Sequence, residues 1–524
     1  MKKKPAPATE QPISPALRRY LFFSAAVTGA AIMIIEILGA KMLAPFFGTS
    51  HFVWTAQIAV TLLALATGYY AGGRLVDRSP HLGRLYGCVL AAAIYLGLTI
   101  VVVEPVSYWC LRYKLAVGSL LASMFLFFPP LALLAMVGPF LVRVVTDSVE
   151  SVGGNIGRLT AISTLGSVAG TVLIGYVLVP FFANSVTMYS TAGLLMAIVG
   201  GYFFVWNVGK GTTPIAAFGI GAGLLLGYGG TTKEQLRRSE STDELYRANS
   251  NFGLLQVLQS KREDERYYLN DYLVQNIYDP VQKKSTALFT YALHQLARAY
   301  TPRIERVLCI GMGVGIVPMR FAQEGVAVDV VEINAGVVAV ATNYFDCDIG
   351  KLHLVIGDGR HYVNETQQKY DTIVLDAFLG DSSPSHLMTT NAFGAMRRIL
   401  KNDGTLVINS FGSFDSGRDF FAASLEKTLR SVFKSVRVHA TGQGTVNVFF
   451  IASDQADLKI LHEPNVEEVH NSVRQRARDA YASLRATDPS HGIILTDDFN
   501  PIEFYDAASR EEHRRSLALH MRSR

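Results

Sequence analysis

The chain has 524 residues, half of them hydrophobic and 17% charged, with a formal net charge of +5. That length is too great for one compact core, and so small a net charge, carried by loops and chain ends without interleaved aromatics, argues against a nucleic-acid partner. The four cysteines, Cys88, Cys110, Cys309 and Cys347, have no metal-type spacing, so neither a disulfide framework nor a metal site is expected.

In chain order, roughly the first 230 positions are apolar and poor in charge, and the remainder has the mixed composition of a soluble domain. Seven apolar runs approach the roughly 20 residues a hydrocarbon core requires: 21–43, 52–76, 85–103, 115–142, 159–182, 186–208 and 214–230. The last is short and Gly-rich and reads equally as a re-entrant or interfacial segment, so six or seven membrane helices are expected over 20–231. The first run continues into others without a processing site, so a cleavable signal peptide is not expected.

Lys2, Lys3, Lys4, Arg18 and Arg19 precede the first run, Arg74, Arg78 and Arg84 follow the second, Arg143 and Arg158 the fourth, and Lys210 the sixth. The opposite loops carry little beyond Lys41, Arg112 and Lys114. This bias makes residues 1–19 a basic cytoplasmic tail. An even number of crossings returns the C-terminal domain to the cytoplasm of a bacterial inner-membrane protein, and seven crossings do not. Glu36, an acid inside an apolar run, is either a functional group or a polar contact between helices. Gly166 and Gly170, four apart, suit close helix packing. The loop GGRLVDRSPHLGR resembles the one between the second and third helices of major facilitator transporters, with two extra residues before Gly83.

From Arg306 onward, β-branched runs alternate with helical patterns: RVLCI, VAVDVVE, LHLVI, TIVLD and GTLVINS, then SVRVH and VNVFFIA. Strands separated by helix-length segments predict a parallel, doubly wound sheet, with ligands at the carboxyl ends of the strands. The first turn reads Gly311-Met312-Gly313-Val314-Gly315-Ile316, which is GxGxG and lacks the third glycine of a dinucleotide fingerprint. Glu332 closes the second strand, suitably placed for both ribose hydroxyls of a nucleoside. A nicotinamide or an S-adenosyl ligand could use that pair. Gly357-Asp358-Gly359 after the third strand and Asp376 after the fourth favour an S-adenosyl sulfonium, with one acid beside an adenine amino group and another at the reacting centre.

VLCIGMGVG, VVEIN, IGDGR and VLDAFLGDSSPSHLMT resemble the spermidine synthase, or polyamine aminopropyltransferase, family, whose fold is class I methyltransferase-like. ILGAKMLAPFFGTSHFVWT, GRLTAISTLGSVAGTVLIGYVLVPFF, DAFLGDSSPSHL and LTDDFNPIE resemble its bacterial membrane-fused members, often called fused major facilitator/spermidine synthase proteins. YYLNDYLVQ resembles the family's LDG-x-x-Q substrate hairpin. The resemblance implies a linker with substrate hairpins over 232–300 and a Rossmann-like domain binding the S-adenosyl sulfonium over 301–524, behind a polytopic α-helical membrane domain.

The resemblance also implies site residues. Gly311, Gly313 and Gly315 would lie beneath the sulfonium tail, Glu332 on the ribose, Asp358 and Gly359 at the adenine, and Gln275 near donor and acceptor. Asp376 matches the first acid of the catalytic D-x-x-D turn, and Asp381 stands for the second with two extra residues between. The donor would be decarboxylated S-adenosylmethionine or S-adenosylmethionine, the acceptor an amine such as a polyamine, and no metal is implied. An ammonium with a pKa near 10 must lose a proton before it attacks, and Asp376 would take it.

Two departures complicate that assignment. Val314 stands where the family's GGGDGG loop has the Asp that receives the donor's ammonium. Lys284, Leu288 and Phe289 stand at the acid, Tyr and His of a DE-x-x-YH segment. Methyl transfer, and a transporter or sensor whose soluble domain binds without turnover, therefore stay open beside aminopropyl transfer. His294, His361 and His386 are polar candidates near the motifs, and Asp497 and Asp498 either cap the cleft with negative charge or cap a turn.

Overall fold

The computed structural model describes residues 13–48, 51–146, 152–207, 213–235, 241–271, 273–378, 384–442, 444 and 446–505. Lys2, Lys3, Lys4, Lys210, Tyr272 of the hairpin and the proposed second acid Asp381 lie outside them. The chain divides into two compact units, Met1–Ala44 with Phe52–Arg237, and Pro45–His51 with Arg238–Arg524.

The first unit is helical: α1 Pro15–Phe47, α2 His51–Arg78, α3 Leu82–Cys110, α4 Leu115–Leu126, α5 Phe128–Ala135, α6 Val137–Val145, α7 Val152–Leu173, α8 Val179–Phe181, α9 Asn184–Val205 and α10 Thr213–Gln235. Among the described residues, seven helices are long and apolar enough to cross a membrane by length and composition. The expected run over 115–142 is broken at Phe127 and Met136. Pro129 and Pro130 open α5, where a missing N–H is harmless only in a first turn. The Gly-rich seventh run is a continuous 23-residue helix, and four of its six glycines have a packing cause. A Cβ at Gly219 or Gly223 would collide with Leu90 of α3 or Met196 of α9, and one at Gly227 or Gly230 with Tyr189 or Ile100. Gly166 and Gly170 of α7 lie likewise against the backbone of Ala26 and Ala30 in α1. The Glu36 carboxylate meets the Thr61 side chain of α2, a polar contact between helices.

The second unit opens with a five-stranded antiparallel sheet in sequence order, β1 Thr242–Ser250, β2 Gly253–Ser260, β3 Arg266–Asn270, β4 Leu273–Asp279 and β5 Lys284–Ser285. After α11 Leu288–Tyr300 come β6 Arg306–Ile310, α12 Ile316–Gln323, β7 Ala327–Glu332, α13 Ala335–Tyr344, β8 His353–Ile356, α14 Gly359–Glu365 and β9 Tyr370–Leu375. β10 Leu400–Gly412, β11 Ser435–Ala440, β12 Val446–Ser453 and β13 Leu484–Arg485 complete the larger sheet. Its order is β13-β11-β12-β10-β9-β6-β7-β8. β6 to β10 run parallel, and β12 is antiparallel to both β10 and β11.

Alternation along the strands fills two cores, one on each face. Val307, Cys309, Val330, Val374 and Val407 join one, and Leu308, Ile310, Val331, Ile373 and Ile408 join the other. The chain winds from β6 through β7 to β8 on one side, and from β9 to β10 on the other. The crevice between the ends of β6 and β9 is therefore the topological switch point where such folds bind ligands. This unit has the Rossmann-like, class I methyltransferase-like fold expected from the sequence.

Candidate active site

β6 ends in the glycine loop, and each glycine has its own cause. Gly311 adopts φ +91°, donates its N–H to the Val331 carbonyl at 2.8 Å, and approaches the Asp376 carbonyl so closely that a Cβ would collide. Gly313, at φ +51°, faces open space. Gly315, at φ +85°, is the residue before α12, and a Cβ there would strike Cys347. Gly311 and Gly313 line a cleft over the sheet; Gly315 does not, and its place is close packing behind the loop.

Val314, between them, is only 1% exposed and packs with Leu255, Val257, Tyr268 and Val337 in a small core beneath the hairpin sheet. It is absent from the cleft wall, so the sequence departure there is a core substitution. Lys284 pairs in register with Asp279 and also lies outside the cleft wall.

At the end of β7, Glu332 is buried, with Oε2 accepting from Met312 N at 2.9 Å and Oε1 from Asn334 N at 2.8 Å. Burial holds its pKa above the ordinary glutamate value against the opposing backbone N–H bonds. Each oxygen keeps a lone pair able to accept a further hydrogen bond. After β8, Asp358 caps α14 by accepting from His361 N at 2.9 Å, while its Oδ2 lies 3.2 Å from His386 Nε2.

At the end of β9, Asp376 Oδ1 accepts from Asn409 Nδ2 at 2.9 Å, and Asn409 Oδ1 accepts from Asn447 Nδ2 at 3.1 Å. Desolvation in the cleft raises the Asp376 pKa to about 6, with the Asn409 bond opposing. It is thus largely ionised at neutral pH and a stronger base than an ordinary aspartate.

The cleft collects Gln275, Gly311, Gly313, Glu332, Asp358, Gly359 and Asp376. Its described wall has three carboxylates and no Lys or Arg. Sequence reasoning missed Asn409, Asn447, Phe378 and Phe411, which also line it; the only signal was a polar Asn closing the apolar run of β10. His386 lines the cleft, whereas His294 is buried against Glu324 at 2.9 Å. Asp497 pairs with Arg360 at 2.9 Å and accepts from Thr389 at 2.6 Å, and both it and Asp498 lie outside the wall.

The residues present fit an S-adenosyl donor in kind: bare glycine backbone at Gly311 and Gly313, with carboxylates at or just past the ends of three parallel strands of the sheet in one cleft.

Residues 287–447 match the Spermine/spermidine synthase domain family. A polyamine aminopropyltransferase of Vibrio vulnificus is 36% identical over 142 residues, covering 26% of this chain and 47% of that protein. An N-terminal histidine N-methyltransferase of Emericella nidulans is 29% identical over 170 residues, covering 30% of this chain and 29% of that one. The chain thus spans less than half the length of either curated relative. A probable spermidine synthase from Corynebacterium glutamicum is 17% identical, with 48% of this chain and 91% of that one covered and a TM-score of 0.37. Residues 287–447 are accordingly a spermine/spermidine synthase domain, and the chain is a homologue of the polyamine aminopropyltransferases.

Proposed function

We propose that the chain is a membrane-anchored transferase that moves an aminopropyl group from decarboxylated S-adenosylmethionine to a polyamine or related amine on the cytoplasmic side of a bacterial inner membrane. The observation that carries this reading is the order of acids along the strand ends: Asp358 after β8, Glu332 on β7, and Asp376 beside Gly311 at the switch point.

In this reading Asp358 and Gly359 receive the adenine, Glu332 the ribose hydroxyls, and Gly311 and Gly313 leave room for the sulfonium tail. Gln275 sits over the tail and the acceptor. Asp376 accepts one proton from the acceptor ammonium. The freed amine lone pair attacks the carbon beside sulfur, the C–N bond forms, and the C–S electron pair returns to sulfur as a neutral thioether. Alignment of nucleophile and carbon supplies the rest. Incubating the full-length protein with each donor and an amine, followed by mass spectrometry, tests it. An aminopropylated amine supports the reading, and transfer of methyl alone overturns it.

One observation favours a second reading, methyl transfer from intact S-adenosylmethionine. Val314 packs into the core where the family's loop carries the acid for the donor ammonium. A donor tail ending in both ammonium and carboxylate is then no worse served than one ending in ammonium alone.

A further inference from the structure

Val314 turns away from the cleft, and the hairpin sheet covers it. Along β2 and β3, Leu255 stands opposite Asn270 and Val257 opposite Tyr268, so the four side chains share one face. Leu255, Val257 and Tyr268 on that face pack in one core with Val314. Asn270, the fourth, closes the row at the end of β3 and lines the cleft with Gly311 and Gly313.

Asn270 is 7% exposed, and its surroundings orient its amide. Nδ2 donates to the Phe252 carbonyl at 3.2 Å, which leaves Oδ1 as the other end. The Tyr268 hydroxyl lies beside the amide, yet Oδ1 accepts no hydrogen bond. Among the described residues of the cleft wall it is the only buried side-chain nitrogen or oxygen without a partner. Gly253, at φ +115°, makes room for it, since a Cβ there would stand 2.5 Å from Oδ1 and 2.7 Å from Asp271 Oδ2. Two acceptor oxygens thus crowd one bare Cα, and the Asp271 carboxylate makes the local potential negative. A desolvated acceptor lacking a donor is costly to the protein and gains from any N–H brought to it.

An S-adenosyl group has few hydrogen-bond donors to bring. With the adenine amino group at Asp358 and both ribose hydroxyls on Glu332, the N–H groups of the tail ammonium are what remain. We propose that Asn270 is the residue that receives the donor's tail ammonium, through Oδ1, in place of an acid on the glycine loop. This rests on the transfer reading above. The contact is a hydrogen bond assisted by the ammonium charge. Both donors carry that ammonium, and a neutral amide does not repel the carboxylate of the intact one, so Asn270 holds the tail without selecting between them.

The test is calorimetric titration of the full-length protein with decarboxylated S-adenosylmethionine, S-adenosylmethionine and 5′-methylthioadenosine, which keeps adenine, ribose and sulfur and has no ammonium. Asn270→Ala should weaken both donors about tenfold or more and change 5′-methylthioadenosine by less than about threefold. Retained binding of that third ligand shows that the variant is folded. Asn270→Asp, which puts a charge at the same place, should shift preference about tenfold toward the decarboxylated donor. Equal losses for all three ligands in Asn270→Ala put the residue at the ribose or in the fold and overturn the inference, as does a variant that binds both donors like the unaltered protein. Where Asn270→Ala does not fold, an unchanged preference in Asn270→Asp overturns it. If the unaltered protein binds none of the three, the transfer reading falls and the inference with it.

Discussion

Asn409 donates from Nδ2 to Oδ1 of Asp376 at 2.9 Å, from β10 to the end of its parallel neighbour β9. Asn447 holds the Asn409 amide from the other side, so its N–H group is the one turned toward the carboxylate. The bond opposes desolvation and keeps the Asp376 pKa at about 6. Activity should therefore be lost as pH falls through about 6, where the base protonates. Asn409→Leu removes the opposing bond and should move that acid limb to higher pH. Asp376→Asn should depress kcat by about a hundredfold or more, the usual share of a general base, while donor affinity measured by calorimetry stays within a few-fold.

The same carboxylate makes a stability prediction of definite sign. An unfolded aspartate titrates near 4, and the folded one at about 6, so the folded state holds the proton more tightly. Its contribution to stability is full below about pH 4 and is lost as pH rises through about 6. Asp376→Asn should raise the melting temperature of the protein above about pH 7 and leave it unchanged near pH 4. A thermal scan at both values checks this, and a variant less stable at neutral pH would show that the carboxylate is not desolvated.

Glu332 ties the ends of β6 and β7 together through Met312 N and Asn334 N. Glu332→Ala should weaken donor binding by about 1.5 to 3 kcal/mol for each charge-assisted bond lost to the ribose, measured by calorimetric titration. Equal loss of donor binding in Glu332→Ala and Asp376→Asn would refute the division of roles between the two acids.

Val314→Asp restores the family's residue in sequence but not in space. The new carboxylate would enter the core of Leu255, Val257, Tyr268 and Val337, at a cost on the order of 3 kcal/mol or more. We expect a lower unfolding midpoint and no gain in affinity for decarboxylated donor. The unaltered protein should discriminate between the two donors by less than tenfold in the same titration.

The Lys/Arg bias leads to the expectation of a cytoplasmic N-terminus, and a cytoplasmic donor requires the second unit there too. With α10 a continuous helix long enough to span, both conditions hold only if one of the seven apolar helices does not cross. A cytoplasmic reporter fused after Arg238 should be active. A periplasmic reporter active at that point would exclude direct use of a cytoplasmic donor.

Local pattern alone was enough to read seven strands between Arg306 and Ser453, because they are β-branched runs, most of them buried on both faces, bounded by turn residues. It also exposed Gly311, Glu332, Asp358 and Asp376, since strand ends in such a sheet converge on one edge whatever the rest of the chain does. The Gly-rich run of α10 was ambiguous in one dimension, because its glycines acquire meaning only against Leu90, Tyr189 and Met196 of neighbouring helices.

What remained hidden was direction and long-range neighbourhood. Val314 and Lys284 occupy motif positions in the sequence, yet one turns into a core and the other pairs along a strand outside the cleft wall. Asn409 is 33 residues from Asp376 along the chain, and Asn447 is 38 residues from Asn409. Asn409 reaches the carboxylate, and Asn447 reaches Asn409, only because β10 pairs parallel with β9 and antiparallel with β12. The sequence determined that this chain carries an apolar helical unit and a sheet with acids at its strand ends. The tertiary structure decided which side chains face those acids, because strand register and loop dihedrals, set by packing across the whole sheet, aim each side chain.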